Sequence, residues 1–362
     1  MSLKHNRQQN RLGQIARAAL RHIGVLLFHL GCARLVIGIS SKRTRALLYH
    51  AVEEKTCSYT RGLGVNVPPQ TFATHLDYFK TYYNVVSMSD LLLGKPRPRS
   101  LVITFDDGYA SVEKNAVPQL EKRALPATVY LIGRAVKGKM VWVNRLNQAM
   151  NEYPTETMRI LHSYPDLVEL DRSAIINQIQ TSYLPAQISS LVETLEEAIP
   201  GLLEDSEKVF SNAADIMAMQ QRGIEFGFHT NDHYNLRQCN KALLEQQLQI
   251  SGMEELINSN TFAYPFGYFS GTAIGALTHH GYEKLMTVGN NNNRFSELHL
   301  DRSEVFVETP AQLFAQLEIE EPIMAGLRAL IARLKSAVKT APDNYTSVEL
   351  DKNPAPETSK PR

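Results

Sequence analysis

Short apolar runs of strand length recur from Arg45 onward, separated by stretches of helical periodicity, and this alternation restricts the chain to a parallel sheet or barrel. The runs are ALLYH (46–50), LVITF (101–105), ATVYLIG (127–133), IEFGFH (224–229), TFAYPFG (261–267) and KLMTVG (284–289), and most end in Gly, His or Asp. Between them, SVEKNAVPQLEKRAL and NKALLEQQLQISGMEELIN repeat with helical period, the second placing Leu244, Leu248 and the Leu256/Ile257 pair on one face of an outer-layer helix. The rhythm breaks from about Arg145 to Met219, a helix-rich stretch punctuated by Pro154, Pro165, Pro185 and Pro200. It is read as an insertion, either a helical side-pack or a wall above the sheet. The division expected is a helical extension over 1–44, one domain over 45–320 containing that insertion, and a basic amphipathic helix followed by a polar, Pro-rich, disordered tail over 321–362.

The length of 362 residues and the 43% hydrophobic composition suit one large α/β domain with extensions, or two smaller domains. A net charge of +1 provides no global basic field, so nucleic acid is not an expected partner. Cys32, Cys57 and Cys239 are odd in number and form no CxxC, which argues against a disulfide framework and a thiolate zinc site. The apolar stretch Ile23–Ser40 is interrupted by His29 and Arg34, falls short of a clean membrane span, and is not followed by a clear cleavage site. Its Arg-rich flank from Arg11 to Arg21 suits a helix lying on an anionic membrane surface or packed on the domain. A cytoplasmic or membrane-peripheral location is therefore expected in preference to export.

ITFDDGY (103–109) sets two carboxylates at the end of a buried strand, where barrels and open α/β sheets keep their active sites, and Gly108 lets the chain turn away. A single Asp there is commonly a helix cap; two neighbouring carboxylates need a cation or a strong donor to stay ionised together. EFGFHTNDH (225–233) follows another apolar strand with His229 and His233, and a helical turn after His229 would point both imidazoles the same way. Two His and one Asp make a ligand set for a divalent ion with positions left for water. Thr230 follows His229 where a HExxH metalloprotease needs its glutamate.

TFDDGY, HTNDH and FAYPFG, in that order, resemble the motifs of the polysaccharide deacetylases, the NodB homology group of carbohydrate esterase family four, over roughly Ala46 to Glu308. VWVNRL and GIEFGFHT are similar to members from exopolysaccharide gene clusters, and Leu48-Tyr49-His50 resembles the circularly permuted arrangement of poly-N-acetylglucosamine deacetylases. The resemblance implies an α/β fold, a distorted (β/α)7 barrel. It further implies that Asp107, His229 and His233 hold a divalent metal, Zn²⁺ foremost, that Asp106 is the general base, and that the backbone N–H of Phe266 helps hold the oxyanion. The acid histidine of an L-x-H motif has no convincing copy near the C-terminal end: His279 sits at a helix end and is read as packing or surface, and His299 is read as exposed. Leu48-Tyr49-His50 supplies the letters from the first strand, so His50 is assigned as the acid. Ala263 stands where many members carry an arginine that orients the base, and Arg302 either substitutes for it or makes a surface salt bridge. Tyr109 and Trp142 are expected to stack on a sugar ring, or Trp142 to anchor the insertion, and Tyr264 and Pro265 complete the expected substrate-binding set. The implied activity is metal-dependent removal of N-acetyl groups from the sugars of a polysaccharide or oligosaccharide. The alternatives are hydrolysis of a non-sugar C–N bond on the same scaffold, and a weakly active glycan-binding assembly protein.

Overall fold

The computed structural model describes residues 2–39, 44–95, 97–203, 208–289 and 297–339. The strands, in chain order, are β1 (Arg45–Tyr49), β2 (Ala51–Val52), β3 (Asn66–Val67), β4 (Asn84–Val85), β5 (Ser100–Phe105), β6 (Thr128–Leu131), β7 (Glu225–Phe228), β8 (Thr261–Ala263), β9 (Lys284–Val288) and β10 (His299–Glu304). Seven of them close into an all-parallel barrel in the order β1-β10-β9-β8-β7-β6-β5, and the pairing of Arg45–Tyr49 with Leu101–Phe105 seals it. Because β1 runs along one whole edge of β5, the short β4 and β6 share the other, β4 at its start and β6 at its end. The expected (β/α)7 barrel is the fold observed.

Alternation along each strand sorts the residues into two cores. Leu47, Tyr49, Leu101, Ile103 and Phe105 face outward into the large core beneath the helices. Ala46, Val102, Tyr130, Ala263, Met286 and Leu300, contributed by six different strands, form a second apolar cluster inside the barrel, joined by Met88 and Leu91 of the short helix Met88–Leu92. The inward series runs Val102, Thr104 on β5 and then Asp106 just past its end, and Leu300, Arg302, Glu304 on β10. The barrel interior thus passes from an apolar floor through a polar middle layer to ionisable groups at the C-terminal ends of the strands.

Six apolar runs of the sequence became barrel strands. β10 escaped the pattern because its sequence, HLDRSE, is polar; its burial nevertheless alternates, with Leu300 and Arg302 turned inward. NKALLEQQLQISGMEELIN is not one long helix: the helix ends at Leu248, and Gly252, at φ +78°, turns the chain before Leu256. Between β6 and β7 the chain forms a helical layer that includes Trp142–Glu152, Pro154–Leu161, Arg172–Ser182 and Pro185–Ala198, starting a few residues earlier than the proline-punctuated stretch.

Helix Ser2–His29 packs against the last helical segment, which runs without a break from Pro310 to Lys339, so that residues 320 and 321 lie within one helical run. Arg17 and Arg21 pair with the buried Glu320, and a Cβ on Gly24 would stand 2.6 Å from the Ala315 Cα, so only glycine allows the approach. The tail over 340–362, expected to be disordered, lies outside the described residues.

Candidate active site

Asp106 follows β5 in the inward series, and by simple alternation Asp107 would point outward. It does not, because Asp107 (φ +71°) and Gly108 (φ +75°) both take left-handed backbone conformations, unusual for an aspartate, which re-aim the second carboxylate toward the strand ends. The histidine pair is built by a similar device. His229 and His233 are not on a helical turn, as the spacing suggested; Thr230 (φ +69°) and His233 (φ +59°) form a left-handed turn closed by the His233 N–H donating to Thr230 Oγ1 at 3.0 Å. With Phe266 (φ +56°), four of the non-glycine residues at positive φ surround one spot, a concentration of backbone strain typical of functional sites.

There the side chains converge. His229 Nε2 and His233 Nε2 lie 3.2 Å apart, and Asp107 Oδ1 is 3.5 Å from the first and 3.4 Å from the second. Three ligands each roughly 2.0–2.2 Å from a shared tetrahedral ion stand roughly 3.3–3.5 Å apart, so the triangle fits a divalent metal. His229 Nδ1 donates to the Ala263 carbonyl at 2.7 Å, which leaves its Nε2 lone pair toward the triangle. Asp107 Oδ1 is buried and has no hydrogen-bond partner, the state expected of an atom shaped for a cation.

The electrostatics agree. Burial alone would raise the pKa of Asp107, but the adjacent imidazoles of His233 and His229 outweigh it and hold the carboxyl well below the usual range. Burial drives His233 down to about 4, leaving a neutral imidazole with a lone pair to offer. At His229 the effect of burial is overcome by Asp106 and Asp107, which raise its pKa: their field favours positive charge at this point.

Asp106 lies beside the triangle, its Oδ2 3.8 Å from His229 Nε2. Arg302 grips it with two hydrogen bonds, Nη1 to Oδ1 at 2.6 Å and Nη2 to Oδ2 at 2.7 Å, and Nη1 also donates to Thr104 Oγ1 at 3.1 Å. This arginine is 2% exposed and lies against the Tyr130 ring, so the surface salt bridge considered from the sequence is not what forms. Burial acts to raise the Asp106 pKa, and the Arg302 charge more than offsets it, keeping the group ionised below the ordinary value. Ala263 is filled by core packing; the guanidinium arrives from β10, two strands along the barrel.

A cavity of about 290 Å³ opens onto these groups, lined by His50, Asp106, Asp107, His229, His233 and Phe266, with Val143, Ile176 and Gln180 of the helical layer opposite. Tyr264 and Tyr109 also line it. The Tyr109 ring offers no free face for a sugar: it is buried and stacked on Phe210 at 5.2 Å, and its hydroxyl accepts from Asn144 at 2.9 Å. Trp142 likewise is a structural anchor, its indole N–H donating to the His233 carbonyl at 3.0 Å and its ring packed on Phe266. Pro265 is buried and does not line the cavity. His299, expected to be exposed, is half-buried and stacked on Tyr264 and Phe269; His279 is exposed at its helix end. Of the two alternatives the sequence left for Arg302, the buried partner of Asp106 is the one that forms; Glu304, which also lines the cavity, is the site group that the sequence did not mark, since it lies on the strand whose polarity hid it.

A seven-stranded parallel barrel with an Asp-His-His triangle and a second, arginine-held aspartate at its C-terminal rim defines a class of barrel hydrolase. The polysaccharide deacetylase family model matches residues 93–187 and 204–285, which include Asp106, Asp107, His229, His233 and Phe266; His50 and Arg302 fall outside them. The two matched stretches take in just under half of the chain, and over them it is similar to this family. It is 28% identical over 99 residues to YxkH of Bacillus subtilis (strain 168), a match that spans 26% of this chain and 33% of that protein. The structure of Streptococcus pyogenes deacetylase PplD, solved in complex with acetate, superposes with a TM-score of 0.51 at 17% identity, covering 76% of this chain and 98% of the other, and shares its fold.

Proposed function

We propose that this chain is a metal-dependent hydrolase that removes N-acetyl groups from N-acetylated sugars of a polysaccharide or oligosaccharide. The observation that carries the reading is the triangle of Asp107, His229 and His233 with Asp106 spare beside it, inside a chain similar to this family. Asp107, His229 and His233 would hold the ion, Zn²⁺ fitting a set of two imidazoles and one carboxylate. Such an ion, when bound, supplies an acidified water and polarises an amide carbonyl.

The remaining work falls to the chain's own groups. Asp106, kept ionised and fixed in orientation by Arg302, accepts the proton of the attacking water. The Phe266 backbone N–H, on a turn held in a left-handed conformation at the cavity wall, is the donor assigned to the developing oxyanion. His50, at the end of β1 in the same cavity, delivers a proton to the departing amine, without which the C–N bond would have to release an amide anion. Arg302 also answers the weakness that Ala263 suggested, a base with no orienting partner.

The test is acetate release from a panel of N-acetylated glycans, chitooligosaccharides and bacterial exopolysaccharide included, before and after chelation and Zn²⁺ replenishment. Release that stops on chelation and returns with the ion is the result expected; hydrolysis of cyclic imides or ureides with no acetate from any glycan would overturn the proposal.

A further inference from the structure

The two ends of the chain leave an unusual surface. Helix Ser2–His29 turns one side to Ala315 and Glu320 and the other to solvent; Ile15, Ile23 and Leu26, spaced to fall within one face, and Leu30 in the turn just past its end are each more than half exposed. The next helix, Ala33–Ile39, buries Ala33 and Ile37 and exposes Leu35 and Ile39. The terminal helix, antiparallel to the first, repeats the pattern with Ile323, Leu327, Leu330 and Ile331. Exposed apolar stripes on adjoining helices are not ordinary surface.

Charge is segregated in the same place. The first 44 residues contain eight Lys and Arg and no Asp or Glu, whereas the rest of the chain holds 30 basic against 37 acidic residues. Arg34 is exposed between Leu30 and Leu35. Among the described residues no single helix is long and apolar enough to cross a membrane; Gly13–His29 and Ala33–Ile39 reach that composition only together, and they are bent by 117°. Apolar stripes with basic flanks on helices too short or too bent to span are the pattern of a segment that lies in a lipid interface.

The platform also has a direction. Gln316 reaches the Glu304 carbonyl and Glu318 meets Arg45, the first residue of β1, so the last helix descends the outside of the barrel from the cavity end toward the opposite end and continues beyond it. We infer that the exposed faces of helices Ser2–His29, Ala33–Ile39 and Glu321–Lys339 form one docking surface for an anionic phospholipid membrane, which holds the barrel with its cavity turned away from the bilayer.

The test is co-sedimentation of the full chain with vesicles. Binding to vesicles mixing phosphatidylglycerol with phosphatidylcholine, weak binding to phosphatidylcholine alone, and loss of binding at high salt are expected. Leu26→Glu with Leu30→Glu, and separately Leu327→Glu with Leu330→Glu, should each lower the partition coefficient by about two orders of magnitude, with the thermal transition and any acetate release unchanged. Wild-type protein that stays in the supernatant with anionic vesicles would overturn the proposal. So would a dimer seen by light scattering that the same substitutions dissociate, since the stripes would then cover a second copy of the chain.

Discussion

The guanidinium of Arg302 and the carboxylate of Asp106 face each other inside the barrel through two hydrogen bonds of 2.6 and 2.7 Å, although the two residues are separated by 196 positions in sequence. The pair is possible because β10 and β5 both flank β1: the register sets Arg302 level with Val102, and its long side chain reaches along the barrel interior to Asp106. Removing one partner of a buried pair leaves the other charge unpaired at a cost of about 3–5 kcal/mol, far more than the pair itself contributes. Arg302→Met should therefore destabilise the protein by about that amount in urea titrations, and Asp106→Asn in the same chain should recover most of the loss. Where Arg302→Met still folds, the Asp106 pKa is no longer held down, so the acidic limb of kcat/KM moves to higher pH. A limb that stays in place would show that Arg302 does not tune the base.

The turn that carries the two imidazoles is closed by Thr230 Oγ1, which accepts from the His233 N–H, and Gln247 Oε1 holds it from outside through the Asp232 N–H. Thr230→Val keeps the shape and removes the acceptor, freeing His233 to rotate. Competition with a chromophoric chelator should show Zn²⁺ affinity reduced by about 10–100-fold, the usual range for loss of an outer-shell contact.

His229 and His50 border the same cavity with different expected roles. His229→Ala should lose metal and turnover together. In His50→Ala the metal should stay, and turnover should fall by about 10²–10⁴-fold, the range for loss of a general acid. Metal content and acetate release measured on one preparation of each variant separate the two, and a fully active His50→Ala would remove His50 from the mechanism.

Far from the cavity, His75 is fully buried between the Tyr49 hydroxyl at 2.9 Å and the Val307 carbonyl at 2.6 Å, and burial lowers its pKa from 6.5 to about 4. The unfolded chain takes up this proton near pH 6.5 and the folded chain only near 4, so in between the unfolded state binds more protons and stability falls as pH falls. The contribution is complete above 6.5 and is lost through this window, at most about 3 kcal/mol. His75→Gln should flatten that part of the stability–pH curve relative to wild type. Parallel curves for the two proteins would refute the assignment.

Much of this arrangement was legible in the sequence because apolar strands announce themselves and their last residues mark the active end of a barrel: Asp106, Asp107, His229 and His50 all follow such runs. What stayed hidden depended on geometry that residue type does not encode. The left-handed backbone at Asp107 and His233 replaces the alternation and the helical turn that spacing alone suggests. For Arg302 the sequence left two roles open, a partner for the base or a surface salt bridge, because HLDRSE has the polarity of a loop and only closure of the barrel buries it. Tyr109 and Trp142 have the chemistry to stack on sugars, but both rings are buried, Tyr109 stacked on Phe210 and Trp142 tilted against Phe266.

The most direct measurement is made on Asp106→Asn, with zinc content and acetate release determined on the same sample. Retention of one ion per chain together with loss of acetate release is the predicted result, since the three ligands remain and only the proton acceptor is removed. Full acetate release by the variant, or a wild-type chain that takes up no ion, would contradict it.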